Sequence, residues 1–412
     1  MVECTGFLEY NGCRGASLRM AGNALTKAKL KAEIIRQVEK QRQKLIKLSL
    51  KIHANPELAF KEEKASSWLT NYLAKNGFQI ESGIGGLPTA FKASYGTSSP
   101  VVALLAEYDA LPEVGHACGH NIIAASAVGA AVASKCIVDN GDGTIVVFGT
   151  PAEELFGGKA LMVEAGVFDG VDVAMIVHPG VRNAVITESL ACIELDIQFF
   201  GKASHAAAHP ERGINALDAM ILAFNAVNSL RQHVKDRARI HGIITHGGEA
   251  ANIVPAYSAA IFLVRANDNA YLGELKQKVL KCFEGASVAT GARLDYKWGE
   301  AVYAPMKNNL ALARLFAQNL VSLGRKVESL ESRFGFGSTD MGNVSQIIPA
   351  IHPSIAIVTP DVLLHSPDFA LAAASESGHE GILDAAKALA MTVADLLTEP
   401  RSLAKVKDEF SG

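Results

Sequence analysis

The sequence predicts an α/β fold: a three-layer domain with a mostly parallel central sheet, and an inserted α+β module of the ferredoxin-like kind. Three observations lead to this prediction. In the first half of the chain, apolar runs that are short enough for buried strands alternate with helical stretches. After Glu188 the pattern changes to two strand-helix-strand units within about a hundred residues. The alternation of helix and strand returns from Pro305, which indicates that the first domain resumes.

The first region opens with two predicted helices. Residues 27–54 carry apolar side chains at helical spacing among Lys, Arg and Gln, and Pro56 ends this helix. A second helix follows and stops before Gly77. Beyond it, the sequence predicts strands at residues 101–106, 144–148 and 173–177 and helices at residues 122–138 and 159–165.

The middle of the chain predicts a compact module of its own. Its elements are a strand at residues 191–200, a helix at 215–232, strands at 242–245 and 259–265, and a helix at 272–289. The last part predicts a helix, a strand at residues 351–358 and a helix at 380–397. We therefore expect an N-terminal tail (1–26), a main domain formed by residues 27–190 and 304–412, and an inserted domain (191–303).

Composition excludes several classes of partner. The 412 residues are 49% hydrophobic and 20% charged, with a formal net charge of -3, so no basic surface for nucleic acid is expected. The longest apolar stretch, residues 122–134, is too short to span a bilayer, so we expect no membrane association. The six cysteines are scattered, and no secretory or transit signal is evident, so we predict a reduced, cytoplasmic protein.

One short segment, residues 107–121, concentrates groups that bind metal. Cys118 and His120 offer a thiol and an imidazole, which together suit zinc better than calcium or magnesium. Further ligands occur where other predicted strands end, namely the Glu153-Glu154 pair, His178 and His365. Because the carboxyl ends of parallel strands meet at one sheet edge, these residues are expected to gather there and to suffice for two adjacent metal ions.

The adjacent carboxylates Glu153 and Glu154 suit amide hydrolysis. One can bind metal while the other accepts a proton from metal-bound water, whose pKa falls to about 7, and later delivers that proton to a leaving amine. Two other interpretations stay open. Cys118 could be a nucleophile activated by His116 or His120. Alternatively, the chain could be a catalytically inactive protein of the same fold that binds a small molecule.

Five motifs resemble a known family. They are residues 108–112 (YDALP), 116–120 (HACGH), 151–154 (PAEE), 201–206 (GKASHA) and 247–255 (GGEAANIVP). Together they are similar to the aminoacylase and glutamate-carboxypeptidase family of dinuclear metallohydrolases. Within that family, the short link between the YDALP and HACGH motifs resembles the branch of p-aminobenzoyl-glutamate hydrolase and Xaa-Arg (β-alanyl-lysine) dipeptidase.

The resemblance implies a role for each residue of the main domain's site. Two divalent metal ions are expected, zinc first, with manganese or cobalt as alternatives. Glu153 is expected to act as general base and acid, on a small dipeptide or N-acyl amino acid. Asp109 is expected to support the metals, although Glu107 stands where other branches place a ligand His before it. The metal ligands implied by the resemblance are Cys118, His120, Glu154, His178 and His365.

The resemblance also implies that the inserted domain forms a homodimer. His205 is expected to reach the active site of the partner subunit and to stabilise the oxyanion there, and Asn252 is expected to contact the substrate. Arg265, at the end of a predicted strand, either binds the substrate carboxylate or is a solvated arginine. The glycine-rich segment 335–340 resembles a substrate-lining loop, in which Asp340 would meet a basic substrate side chain or solvent.

Overall fold

The computed structural model describes residues 12–141, 143–330 and 337–412, with side chains from residue 27 onward. Its main elements form two groups, each built around a sheet with an apolar core of its own. Both ends of the chain contribute to the larger group, and the middle of the chain forms the smaller one. The predicted α/β fold, with a mostly parallel central sheet and an inserted α+β module, is confirmed.

Within the described residues, helices and strands are numbered in chain order. The strands are β1 (Gln79–Ser82), β2 (Phe91–Tyr95), β3 (Val101–Glu107), β4 (Thr144–Thr150), β5 (Val173–Met175), β6 (His178–Gly180), β7 (Ala191–Phe200), β8 (Arg239–His246), β9 (Tyr257–Ala266), β10 (Arg293–Trp298), β11 (Ala350–Ile351) and β12 (Ser354–Ala356). The α-helices are α1 (Gly12–His53), α2 (Glu63–Lys75), α3 (His120–Val138), α4 (Glu153–Phe156), α5 (Gly158–Glu164), α6 (Ala216–Leu230), α7 (Asn269–Thr290), α8 (Leu310–Ser322), α9 (Met341–Ile347), α10 (Pro367–Ala373), α11 (Glu376–Thr398) and α12 (Pro400–Ser411).

The central sheet has the strand order β1-β2-β4-β3-β5-β11. Strands β4, β3, β5 and β11 run parallel to one another, whereas β1 and β2 pair antiparallel at one edge. In β3, Val102 and Leu104 belong to the core that includes α1, α3 and α11. Ala103 and Leu105 belong to the opposite core, beneath α5 and α9. Helices therefore cover both faces of the sheet, as expected for a parallel sheet whose strands are almost wholly apolar.

The smaller group follows the order β7-α6-β8-β9-α7-β10, which is the ferredoxin-like arrangement of strands and helices. Its four strands pair antiparallel in the order β10-β7-β9-β8. Alternate residues of β7, namely Ile193, Leu195 and Ile197, are buried in the core that α6 and α7 share with the sheet. Cys192, Glu194 and Asp196 lie on the other face of β7 and line a cavity that Glu153 and Glu154 of the larger group also line. The predicted domain boundaries at residues 190/191 and 303/304 stay predictions.

Some local predictions were wrong. The strand expected at residues 351–358 is two short strands, β11 and β12, because Pro353 between them has no N–H for a sheet ladder. Strands β1, β2 and β10 were missed, since none of them is a continuous apolar run. Helix α1 begins at Gly12, so residues 12–26, expected to be part of a tail, are helical. Residues 1–11 of that predicted tail lie outside the described residues.

Helix α3 is long and apolar enough to cross a bilayer by length and composition, contrary to the expectation from the shorter stretch within it. Most of its side chains are buried against the rest of the chain, as in the core helix of a globular domain. Its main effect on the site is positional. The N-terminal residue of α3 is His120, so the helix carries this imidazole to the carboxyl-terminal edge of the sheet.

Candidate metal centre

The five predicted ligand residues converge at the carboxyl-terminal edge of the central sheet. Cys118 and His120 lie at the start of α3, after β3, and Glu154 lies in α4, directly after β4. His178 opens β6, after β5, and His365 lies in the loop between β12 and α10. The alternation of strand and helix therefore delivers five side chains that are far apart in sequence to one place.

The glycine between Cys118 and His120 is required by the local geometry. Gly119 has φ 80°, in the left-handed region, at the residue that precedes helix α3. A Cβ atom at this position would lie 2.5 Å from Cγ of Pro179, in the segment that also carries His178. The motif therefore holds the thiol and the imidazole beside β6, where a larger residue would displace them.

Distances between the ligand atoms are those of a metal-binding cluster. Sγ of Cys118 lies 3.3 Å from Nε2 of His178. Oε1 of Glu154 lies 3.7 Å from Nε2 of His120 and 3.6 Å from Nε2 of His365. Ligand atoms within 4.8 Å of one another form three overlapping groups: Cys118 with His120 and His178, Cys118 with Glu154 and His365, and His120 with Glu153 and Glu154. Cys118, His120 and Glu154 each belong to two of these groups, so the three groups form one continuous cluster.

The cluster has the chemistry of a site for divalent metal. Nε2 of His120 and Oε1 of Glu154 are buried and have no hydrogen-bond partner among the described residues. Buried polar atoms in native proteins are nearly always satisfied, so these two atoms point to a missing partner. A thiolate, imidazoles and a carboxylate form a donor set that binds zinc and related transition metals. The residues present therefore fit a pair of metal ions.

Asp109 holds His120 in position. Oδ1 of Asp109 lies 2.9 Å from Nδ1 of His120, and Oδ2 accepts a hydrogen bond from the backbone N–H of Glu154 at 3.0 Å. Burial would lower the pKa of His120, but the nearby Asp109 carboxylate and the Cys118 side chain raise it well above its ordinary value. With Nδ1 engaged by Asp109, Nε2 of His120 is the ring atom that faces the cluster.

Glu153 stands beside the cluster on a backbone turn that is fixed from two sides. Ala152 before it has φ 61°, and its N–H donates a hydrogen bond to Oε1 of the buried Glu62 at 3.0 Å. The backbone carbonyl of Glu153 accepts a hydrogen bond from the hydroxyl of Tyr303 at 2.8 Å. Burial and the neighbouring Glu154 carboxylate raise the pKa of Glu153 well above its ordinary value. Cations bound by the cluster would oppose this shift.

A buried group of three charges lies behind the cluster. Nζ of Lys159 lies 2.5 Å from Oε1 of Glu107 and 2.6 Å from Oδ1 of Asp340, and all three side chains are at most 1% exposed. Oε2 of Glu107 lies 3.7 Å from Nε2 of His120. Burial would raise the pKa of Glu107, but Lys159 and the nearby imidazoles hold it at about 2. Burial would likewise lower the pKa of Lys159, yet Asp340 and Glu107 raise it, so the lysine carries its charge in the interior.

Two cavities meet at the cluster. One has a volume of about 580 Å³ and extends along the sheet of the inserted module, where Arg265 is part of its wall. The other, of about 500 Å³, runs past Cys118 and His178. Glu153, Glu154 and His365 line both cavities, so they stand where the two spaces join. A molecule that filled both cavities would pass directly over the cluster.

Comparison with known proteins identifies the family. The model of Peptidase family M20/M25/M40 matches residues 103–393. The chain belongs to this family. A mouse (Mus musculus) Xaa-Arg dipeptidase is 38% identical, with 92% of each chain covered. A p-aminobenzoyl-glutamate hydrolase polypeptide from Escherichia coli K12 is 30% identical, covering 90% of this chain and 93% of the relative. The solved structure of a dinuclear metal-binding M20 peptidase from Bacillus subtilis has the same fold, with a TM-score of 0.66, 20% identity, and coverage of 87% and 99%.

Membership settles the class of protein. The chain is a metal-dependent hydrolase of the M20 family, whose members bind two metal ions. The resemblance drawn from the five sequence motifs, and the branch to which they pointed, are thereby confirmed.

Of the three residues of this M20 peptidase that were predicted to contact substrate, one lies in a cavity at the cluster and two do not. Arg265 lines the larger cavity, and its Nη1 donates a hydrogen bond to Oγ of Ser338 at 3.3 Å. His205 and Asn252 do not line either cavity within one chain. Both are exposed on the inserted module, next to each other, with the Asn252 carbonyl accepting a hydrogen bond from the N–H of Ala206. Their predicted contact with substrate is not made within the described residues of one chain and stays a prediction.

The sequence did not predict the burial and contacts of several residues near the site of this M20 peptidase. Asp340 was expected to meet substrate or solvent, but it is buried and bonded to Lys159. Gly335 and Phe336, from the same predicted loop, lie outside the described residues. His352 is buried beside His178, with ring centroids 5.5 Å apart, and burial lowers its pKa to about 4. The sequence did offer one sign that His352 lies near the site: it follows Ile351, the first residue of a predicted strand, and precedes Pro353.

Proposed function

We propose that this M20 peptidase hydrolyses the amide bond of small dipeptides or N-acyl amino acids. The observation that carries the proposal is the cluster of Cys118, His120, Glu154, His178 and His365 at the junction of two cavities, with the free carboxylate of Glu153 beside it. Relatives with 38% and 30% identity carry the names Xaa-Arg dipeptidase and p-aminobenzoyl-glutamate hydrolase, and both names denote cleavage of one amide bond in a small molecule.

The five ligand residues would hold two divalent ions, and three of them, Cys118, His120 and Glu154, each belong to two of the neighbouring groups. We propose zinc as the native metal, with manganese or cobalt as alternatives, because thiolate and imidazole ligands favour zinc. When bound, such ions polarise a carbonyl and lower the pKa of water toward neutrality. Asp109 contributes by fixing the orientation of His120 and, through its second oxygen, the backbone of Glu154.

Glu153 moves the proton in this proposal. Its side chain stands where the two cavities join, so it can accept a proton from the attacking water and deliver it to the amine that leaves. Arg265 provides a fixed positive charge in the larger cavity, and its Nε is buried without a hydrogen-bond partner among the described residues. A carboxylate on the leaving amino acid would satisfy it. The larger cavity then holds the amine side of the substrate, and the smaller one holds the acyl side.

We further propose a homodimer formed through the inserted module. Strand β8 lies at the edge of its sheet and exposes Ile243 and Ile244, which are 65% and 41% exposed, while Ile253 nearby is 44% exposed. An apolar sheet edge of this kind is suited to pairing with another chain. Pairing there would let His205 and Asn252 enter the partner's active site, where His205 would stabilise the oxyanion.

A cytoplasmic location is also part of the proposal. Among the described residues, Cys118, Cys136, Cys192 and Cys282 are all free thiols, which fits a reducing compartment. Cys118 in particular must stay reduced to bind metal.

A hydrolysis screen tests this function. Metal-replete enzyme is offered dipeptides ending in Arg, Lys or Glu, and N-acyl amino acids, with and without a chelator and after treatment with iodoacetamide. Hydrolysis that the chelator abolishes and added zinc or manganese restores is the expected result. Activity that resists the chelator but is lost on alkylation would instead favour Cys118 as nucleophile. Absence of both bound metal and hydrolysis would favour a binding protein without catalytic activity.

A further inference from the structure

Tyr303 connects the inserted module with the residue that is proposed to move the proton. It lies in the return segment (residues 299–304), which leads from β10 back to the larger group. Its hydroxyl donates a hydrogen bond of 2.8 Å to the backbone carbonyl of Glu153, and its side chain lines the larger cavity. Because a carbonyl oxygen can only accept, the hydroxyl proton of Tyr303 is directed at Glu153.

The return segment is paired with the first strand of the inserted module. The backbone N–H of Tyr303 donates to the carbonyl of Cys192 at 2.9 Å, and the N–H of Cys192 donates to the carbonyl of Tyr303 at 3.0 Å. Cys192 is in turn opposite Arg265 in the ladder of β7 and β9. Two backbone pairings therefore join Tyr303 to the strand position of Arg265, the proposed contact for a substrate carboxylate.

The return segment is also bound to helix α9 of the larger group. The side chain of Asn343 accepts the N–H of Ala304 at 2.9 Å and donates to the carbonyl of Val302 at 2.8 Å. These two hydrogen bonds hold the residues on either side of Tyr303. The backbone that carries the tyrosine is therefore fixed to both groups of elements, and its hydroxyl is a donor of defined position.

The turn that carries Glu153 depends on such outside contacts. Helix α4 has only four residues and ends at Gly157, whose φ is 60°. A single helical turn is unstable by itself, because the first turn of a helix is costly to form. The turn is held by the hydrogen bond from Ala152 to Glu62 at one end and by Tyr303. A Cβ atom at Gly157 would lie 3.3 Å from Cζ of Tyr303, so the tyrosine ring packs against the other end.

We propose that Tyr303 is a positioning residue for Glu153. Its hydroxyl holds the backbone of Glu153 at a fixed place relative to the cavity wall that carries Arg265, so that the Glu153 carboxylate meets the water that attacks a bound substrate. This inference rests on the proposed function and adds a residue to its mechanism. A misplacement of about 1 Å at a reacting group can cost about 10²-fold in rate, so one such hydrogen bond is enough to matter.

The test is Tyr303→Phe, which keeps the ring against Gly157 and removes only the hydroxyl. Steady-state kinetics on a substrate found in the hydrolysis screen are measured with metal-replete protein, and metal content is determined on the same preparation. We expect kcat to fall by about 3- to 30-fold, with KM within about twofold and metal at the wild-type level. An unchanged kcat would overturn the inference. A rise in KM at constant kcat would also overturn it, because the hydroxyl would then be a substrate contact.

Tyr271→Phe is the matched control. Tyr271 is buried in the core of the inserted module, where its hydroxyl accepts the backbone N–H of Lys235 at 2.8 Å, and it is not among the residues that line the two cavities. This variant also loses a hydroxyl that is bonded to the backbone, but its kcat should stay within about twofold of wild type. A similar loss of kcat in both variants would attribute the effect to weakened packing and overturn the inference.

Combining Tyr303→Phe with Glu153→Gln separates action through Glu153 from a general effect on the site. If the hydroxyl acts only by placing the Glu153 carboxylate, its removal should change the residual turnover of Glu153→Gln by less than about twofold. An equal loss in both backgrounds would overturn the inference and leave the proposed hydrolase intact. If the wild type hydrolysed no member of the screen, or if Glu153→Gln turned over normally, the proposed function itself would fail and the inference with it.

Discussion

The carboxylate of Asp109 joins two ligands of the candidate metal centre, because its Oδ1 lies 2.9 Å from Nδ1 of His120 and its Oδ2 accepts the backbone N–H of Glu154 at 3.0 Å. One fully buried side chain therefore sets the orientation of an imidazole and the position of a carboxylate. Such supporting contacts commonly account for 10- to 100-fold in metal affinity.

We predict that Asp109→Asn weakens metal binding about 10- to 100-fold, because asparagine keeps the shape of the side chain but removes the charge that fixes and polarises His120. Competition with a chromophoric chelator measures the affinity. Asp169→Asn is a suitable control, since Asp169 is an exposed residue. Unchanged affinity in Asp109→Asn would show that His120 is positioned by other contacts.

Glu153→Gln should separate catalysis from metal binding. Glutamine is similar in size and keeps the backbone carbonyl that accepts the Tyr303 hydroxyl, but it cannot accept a proton. We expect kcat to fall by about 10²- to 10⁴-fold while metal content stays at the wild-type level. Kinetics on the substrate found in the screen, together with metal analysis of the same preparation, check this. Glu164→Gln is the control variant, because Glu164 is exposed. Near-normal turnover in Glu153→Gln would rule out Glu153 as the general base.

The proposed action of His205 across the subunit interface can be tested by mixing two inactive variants. His205→Ala should lose most of its activity without losing metal, because the exposed His205 lines neither cavity of its own chain. If subunits exchange, a mixed dimer of His205→Ala and Glu153→Gln has one site with an intact Glu153 and an intact partner histidine. Activity should therefore return on mixing. A fully active monomer, or no recovery despite proven subunit exchange, would contradict the trans arrangement.

Because Lys159 is the counter-ion of two buried carboxylates behind the cluster, we expect its replacement to lower the free energy of unfolding. Lys159→Met would leave Glu107 and Asp340 without their shared counter-ion, and removing one partner of a buried ion pair typically costs about 3–5 kcal/mol. We expect the free energy of unfolding of the metal-free protein to fall by an amount of that order, measured by denaturation in urea. Lys281→Met, at an exposed position of α7, should change it by less than about 0.5 kcal/mol. Similar stability of the two variants would mean that the ion group is not important for folding.

Lys159 also shows where prediction from sequence ends. The ligand residues were predictable because each follows an apolar strand, and parallel strands bring such positions together regardless of their separation in sequence. Lys159 carries no such mark. A lysine near the start of a short helix is usually solvated, and only the packing of α5 against α9 shows that its charge is enclosed with Asp340.

A similar limit applies to His205 and Arg265. Both were singled out as substrate contacts, yet Arg265 lies in the cavity and His205 on an exposed surface. The alternation of residues along β7 and β9 indicates which side chains face the cavity, but the position of the inserted module relative to the central sheet depends on tertiary contacts that no local pattern records. For the same reason Glu62, which stabilises the turn before Glu153, was not recognised.

The buried Glu62 leads to a prediction of how the free energy of unfolding depends on pH. Burial raises its pKa from 4.5 to about 7, although hydrogen bonds to its carboxylate, including one from Thr89, oppose the shift. Because the folded state holds this proton more tightly than the unfolded chain, the associated stabilisation is complete below pH 4.5 and is lost as the pH rises through about 7. Glutamine resembles the protonated carboxyl group, so Glu62→Gln should gain on the order of 3 kcal/mol relative to wild type between pH 4.5 and pH 8.

The measurement is the unfolding free energy of metal-free wild type and Glu62→Gln across that pH range, so that loss of metal in acid does not contribute. Glu63→Gln is the matched control, because Glu63 is adjacent but exposed and should follow the wild-type curve. Since the amide oxygen of glutamine can still accept the N–H of Ala152, the turn that carries Glu153 should persist and turnover should be retained. If the unfolding free energies of wild type and Glu62→Gln changed in parallel with pH, the pKa of Glu62 would not be raised in the folded state.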